Sequence, residues 1–223
     1  MTAIRVSAQG TIPPQAGSEL ALDTVRLPAG ASAALGGNDD DALLFVFAGG
    51  GTLSLGGEEH VLAAGSAALA VAGEEARVTA GPDGLAAACA TAGRPTDRHA
   101  PLGPRATVVP IELVEAGSAT GKRSFQVLFG PHNGSTRATL FAGYIPPGRA
   151  PWHYHLYDEI VWVWRGAGRF HLGSGVEELA PGSAFRLAPR EVHIVENLSP
   201  DEELAVLGIF TPAGSPSAAY LQA

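Results

Sequence analysis

The sequence predicts an all-β protein built as two halves of similar design. Three observations carry that prediction: glycine and proline punctuate the chain, its apolar segments are short and rich in β-branched and aromatic residues, and one long stretch recurs at a fixed offset. Of 223 residues, 29 are glycine and 17 proline, which leaves little unbroken chain for long helices and makes short strands joined by turns the default. With 46% hydrophobic and 16% charged residues, there is material for one large core or two small ones, and too much apolar side chain for disorder.

Gly49 and Gly166, Gly56 and Gly173, and Gly65 and Gly182 are each 117 positions apart, and the blocks LAAGSA and LAPGSA coincide at the same offset. A repeat of that size is a duplicated domain, being too long for a solenoid unit. The halves are placed at residues 1–100 and 101–223, joined by the Pro-, Gly- and Arg-rich stretch AGRPTDRHAPLGPR. In the first half DALLFVFAGGGTLSLGG reads as a hairpin, as does DEIVWVWRGAGRFHLGSG in the second. Another hairpin is expected where FQVLF and TRATLFAGYI flank GPHNGS, because Asn133-Gly134 supplies the positive φ of a tight turn. No segment reads as an amphipathic helix, so each half is expected to be a sandwich or small barrel.

The net charge is −8, and the 14 basic residues are scattered, so no field exists to attract nucleic acid or an anionic membrane. A lone Cys89 cannot form an internal disulfide, and the start MTAIRVSAQG lacks a signal-peptide pattern, from which a cytoplasmic location is expected. The best apolar run, Val61 to Gly73, is too short to span a bilayer. Cys89 itself reads as a small buried hydrophobe.

The stretch GRAPWHYHLYDEIVWVWRG carries the chemistry. His153 and His155 are two apart, so on a strand both imidazoles face one side, and after a short turn Glu159 enters the partner strand facing them. His193 follows a strand-like run and a Pro-containing turn, from which an adjacent antiparallel strand could close the site. An isolated His-x-His is more often a pair of surface histidines on an edge strand. A glycine frame around all four residues favours the metal.

That frame, Gly148, His153, His155, Glu159 and Gly166, then Gly182, His193 and Asn197, resembles the two motifs of the cupin superfamily. The second motif departs from the family in having Ala188-Pro189-Arg190 where a Pro-x-Gly turn is usual. The resemblance covers most of both halves and implies a bicupin, two tandem jelly-roll barrels in one chain. It implies that the second barrel binds one divalent first-row transition metal (Mn, Fe, Ni, Co or Zn) through His153, His155, Glu159 and His193. At the repeat offset those residues fall on Gly36, Asn38, Ala42 and Ala76, so the first barrel is expected to be metal-free and to serve in packing.

If the metal is octahedral, four protein ligands leave two positions open, the arrangement of a catalytic site suited to a chelating pair of oxygens. The ligand set is most similar to quercetinase-like dioxygenases. Oxalate decarboxylases carry an arginine three residues before the first histidine, where this chain has Ala150. The expectation is therefore a metal-dependent enzyme acting on a small oxygen-chelating metabolite, with a dioxygenase placed first. A sugar-acid or keto-acid isomerase or hydrolase of bicupin type, and a non-enzymatic small-molecule-binding cupin, are the alternatives. By the same resemblance Glu159 is the acid–base candidate.

Tyr144, Trp152, His171 and Phe185 are candidates for lining the substrate pocket, although core packing explains each equally well. Parity along the strand puts Glu159, Val161 and Val163 inside the barrel and Ile160, Trp162 and Trp164 outside. The tryptophans are thus expected to pack on the other barrel or on a second subunit, and monomer and homodimer both remain open. Arg149 and Arg186 could receive a substrate carboxylate, but a solvated arginine is the reading preferred for each.

Overall fold

A computed structural model of the chain describes residues 6–37, 39–94, 100–217 and 219–221. The first half contributes β1 (Leu20–Leu27), β2 (Ser32–Leu35), β3 (Asp41–Leu55), β4 (Glu58–Ala63), β5 (Ser66–Ala70) and β6 (Ala76–Ala92), and β7 (Val108–Pro110) follows. The second contributes β8 (Gly117–Ser118), β9 (Ser124–Phe129), β10 (Thr139–Ile145), β11 (Gly148–Arg149), β12 (His153–Tyr154) and β13 (Asp158–Arg165). It continues with β14 (Gly168–Leu172), β15 (Gly175–Leu179), β16 (Ala184–Leu187), β17 (His193–Asn197), β18 (Leu204–Thr211) and β19 (Tyr220–Leu221). The only helices among the described residues are three short 3-10 turns at 111–113, 120–122 and 131–133, and none is long and apolar enough to cross a membrane.

The fold is all-β, two tandem jelly rolls, as the sequence predicts. One seven-stranded sheet runs β1-β6-β3-β5-β7, with β2 on β6 and β4 on β3. The second half divides into β16-β13-β18-β10-β9-β8 and β15-β14-β17-β12-β19, with β11 on β17. The repeat survives in the fold, since β3 maps at the 117-residue offset onto the span from the start of β13 to the end of β14.

Neither glycine-broken stretch is a hairpin. In the first half β3 runs unbroken through Gly49–Gly51, and its pairing with β6 shifts register between Val46 and Ala48 and again between Gly49 and Gly51. Such irregularities bend a strand instead of reversing it. In the second half the chain does break, at Gly166-Ala167, but β13 and β14 then join different sheets. Glycine is required at the bend: a Cβ on Gly51 would sit 2.0 Å from the Thr79 carbonyl oxygen. Gly51→Ala is therefore expected to destabilise the fold by about 1–3 kcal/mol, read as a lower urea midpoint with an unchanged slope. The β9–β10 hairpin forms as expected, with Gly134 at φ +104 in its connection.

Three apolar clusters organise the interior. One fills the first barrel with small aliphatic side chains such as Leu44, Leu53, Ala68 and Val78, and another, including Val161, Val163, Phe170 and Phe185, fills the second. The third joins the halves, bringing Leu22, Leu43 and Phe45 against Leu140, Ile160 and Trp162. The alternation along β13 is thus as parity requires. Trp164 meets Phe45 edge-on at 5.0 Å, and Trp162 meets Phe47 at 5.0 Å. Of the two destinations expected for the tryptophans, both indoles take the other half of the same chain.

Polar links and short strands also cross between the halves. β7, although it follows residue 101, pairs with β5, and Ser7 bridges to Ala184. Arg137 forms a buried ion pair with Asp41 (3.5 Å). Arg186 is not solvated: it pairs with Asp158 at 3.1 Å and donates to the Leu20 carbonyl at 2.7 Å. Cys89 is half-buried against the first-barrel core, and desolvation pushes its thiol up to about 12, which suits a packing role better than a nucleophile.

Candidate metal centre

The β-ladder builds the site. His153 on β12 and His193 on β17 are direct antiparallel partners, so their side chains emerge side by side on one face. His155 lies just past the end of β12, and the three rings stand 4.4–5.2 Å apart, centroid to centroid. Their candidate ligand nitrogens all lie within 4.8 Å of one another, and all three residues are buried. In His153 the Nδ1 sits 2.9 Å from the Pro151 carbonyl, and in His193 the Nδ1 sits 2.9 Å from the Glu191 carbonyl. A carbonyl can only accept, so each Nδ1 carries the proton and each Nε2 turns a lone pair to the interior.

Glu159, on β13, approaches this trio from the facing sheet. Its Oε2 is 3.6 Å from His155 Nε2 and is buried without a hydrogen-bond partner. Gly208 on β18 makes room for it, because a Cβ there would lie 2.9 Å from Glu159 Oε1 and 2.2 Å from the Phe141 ring. The structure thus brings together the four residues that the spacing pointed to. The histidines form the compact group, and the carboxylate stands at its edge beside His155.

Burial sets the charge states. Desolvation, aided by the nearby Arg123 cation, lowers His153 to about 4, and burial takes His193 well below the ordinary histidine range. Both are neutral near pH 7, which is the ligating form. Burial raises the Glu159 carboxyl to about 8, against the opposing pull of Arg123.

A cavity of about 90 Å³ opens beside the trio. Phe125, Phe141, Val195 and Val206 give it apolar walls, Tyr157 and Tyr144 bring phenols, and Pro216 and Ser217 border it from the C-terminal segment. Of the four residues proposed for the pocket, only Tyr144 lines it. Phe185 is buried in the barrel core, stacked on Phe170 at 3.9 Å. His171 is tied to Glu196 at 2.7 Å on the neighbouring strand pair, and Trp152 is partly exposed outside the cavity. Closeness in sequence to the motif misplaced these three because side chains alternate across the sheets. Arg123 escaped the sequence reading altogether: it lies 30 residues before His153 in a segment with no motif, yet its Nη1 is 3.2 Å from His153 Nε2.

The turn before β17 also departs from expectation in chemistry but not in shape. Arg190 adopts φ +68, so an arginine holds the left-handed conformation that a glycine takes more readily. Its backbone N–H donates to the His155 carbonyl at 2.6 Å, fixing the second histidine.

At the repeat-equivalent positions of the first half, a Cβ on Gly36 would lie 3.4 Å from the Ala42 Cβ. Ala42 and Ala76 belong to the aliphatic core. Positions 36 and 42 therefore face one another and carry no side-chain donor atoms; Asn38 lies outside the described residues.

Residues 142–210 match the Cupin domain family model (Cupin_2). No curated protein sequence matches the chain. Among solved structures, a glyoxylate-induced protein from Pseudomonas aeruginosa superposes with a TM-score of 0.76 at 16% identity, covering 95% of this chain and 82% of that one. A variant of oxalate decarboxylase from Bacillus subtilis gives 0.69 at 14%, covering 92% and 71%. AerE from Microcystis aeruginosa gives 0.71 at 14%, covering 90% of each chain. Likeness at these identities is a likeness of fold.

Proposed function

We propose that the chain is a cupin, supported by the Cupin domain match over residues 142–210 and by the likeness in fold to solved structures, and that residues 101–223 form a metal-dependent catalytic barrel for a small oxygen-chelating metabolite, with residues 1–100 as its packing partner. The observation that carries this reading is the convergence of three buried histidine nitrogens within 4.8 Å. Beside them Glu159 Oε2 is buried with no hydrogen-bond partner, and burying a polar atom in that state costs free energy. A cation satisfies all four residues at once, so the donor set fits a metal.

His153, His155 and His193 would hold the ion with Glu159, a mixed nitrogen and oxygen set acceptable to Mn, Fe, Co, Ni or Zn. The oxalate decarboxylase of Bacillus subtilis, similar in fold, has Mn(II) centres. When bound, such an ion supplies a Lewis acid that polarises the substrate's oxygens. The chain's own groups do the rest. Phe125, Phe141, Val195 and Val206 would keep water from the cavity, and the Glu159 carboxyl would take up and return a proton through the oxygen not engaged in holding the ion.

Oxygen-dependent cleavage is the reaction placed first, with keto-acid isomerisation or hydrolysis second. Elemental analysis of the purified protein after loading with each of the five ions, followed by oxygen uptake and product assays on pyruvate, malonate, catechol and glucuronate, tests the reading. About one ion per chain and turnover abolished by a chelator are expected. Failure to retain any of the ions would overturn it, and ligand affinity without turnover would make the barrel a binding module.

A further inference from the structure

The Arg123 guanidinium is aimed into the cavity, where Glu159 acts on it electrostatically but from beyond ion-pair distance. Arg123 follows the 3-10 turn at 120–122, and two bonds to Thr120 hold it: Nε–H donates to the carbonyl at 2.9 Å and Nη2–H to the hydroxyl at 2.6 Å. That leaves Nη1 directed at the histidines, 3.2 Å from His153 Nε2. Among the described residues no ion pair reaches Arg123. Among the described residues no other arginine or lysine lines the cavity.

We propose that Arg123 binds the carboxylate of the substrate, so that the site takes small carboxylic acids bearing an oxo or hydroxy oxygen on the adjacent carbon. This rests on the reading of the histidines as a metal site and deepens it. The lone pair on His153 Nε2 cannot serve a cation and Nη1 together, so a loaded site leaves Nη1 without its acceptor. A guanidinium and a dication in one small apolar cavity also repel each other, and an anion between them removes that cost. The planar fork of arginine suits a carboxylate better than any neutral oxygen. Size agrees: a cavity of about 90 Å³ has room for a ligand of about half a dozen heavy atoms, given the space one water takes up.

The test pairs acids with their amides. Zn(II)-loaded wild-type protein is titrated calorimetrically with pyruvate and pyruvamide, and with glycolate and glycolamide, metal content being measured in each sample. The acids are expected to bind about tenfold or more tightly than the amides. Arg123→Met is expected to lose that preference while metal content and melting temperature stay unchanged. Arg123→Lys, which keeps the charge without the fork, retains the preference at weaker affinity. A wild-type protein that loads metal but binds acid and amide alike, or binds neither, overturns the proposal, as does a preference that survives in Arg123→Met. A chain that retains no metal defeats the metal reading instead, and the acid-to-amide ratio on the unloaded protein then decides the role of Arg123 by itself.

Discussion

Replacing His193 by alanine is expected to remove metal binding, with a loss of at least about a hundredfold in affinity, since even a residue supporting a ligand from behind is worth ten- to a hundredfold. His193 is the most consequential of the three histidines. It is nearly fully buried, it pairs across the ladder with His153, and its Nδ1 contact with the Glu191 carbonyl fixes the direction of its lone pair. The measurement is metal content after loading and removal of free ion, together with thermal unfolding. An ion supplied at a hundred times its dissociation constant stabilises the wild type by about 2.7 kcal/mol and should leave His193→Ala unmoved. Equal metal content in the two proteins would remove the basis for a metal centre.

The site was legible in the sequence because its geometry is short-range. Two histidines at i and i+2 and a glutamate across a short turn stay close because few residues separate them, although β12 ends before His155 and the turn carries Glu159 to the facing sheet and not to a partner strand. The duplication was legible for a similar reason, since glycines at bends recur wherever the same backbone path recurs. Hairpins were misread where the same glycine pattern serves two purposes. Gly49–Gly51 lets β3 bend on a close neighbour, whereas Gly166-Ala167 carries the chain from one sheet to another. Local sequence distinguishes neither case, because the deciding contacts are with Thr79 and Gly84 for the first and Leu204 for the second.

The pocket was least legible. Its walls come from β9, β10, β13, β17, β18 and the C-terminal segment, which are spread over nearly a hundred positions. Arg123 enters from the start of β9 with no repeat, motif or periodicity to announce it. Residues near the motif in sequence, such as Phe185 and His171, were attractive only for their chemistry, and the pleat turned one into the core and the other onto Glu196.

Trp162→Ala is expected to destabilise the protein by about 3–5 kcal/mol, the usual range for emptying a large aromatic site in a core. Its ring lies in the cluster that holds the halves together, against Phe47 at 5.0 Å, so the loss falls on the inter-half contact and should broaden the guanidinium transition as well as lower its midpoint. Trp162→Phe separates packing from polarity. The indole Nε1 is buried without a hydrogen-bond partner, a condition that costs about 1–3 kcal/mol, and phenylalanine removes that donor while keeping most of the ring contact. The two effects oppose, so a change within about 1 kcal/mol is expected. An alanine variant as stable as the wild type would mean that the halves are held by their exchanged strands and the Arg137–Asp41 pair and not by the aromatic core. Because β13 sends Val161 and Val163 to the opposite face, metal content should survive either substitution, which ties the tryptophan to assembly of the halves and not to the site.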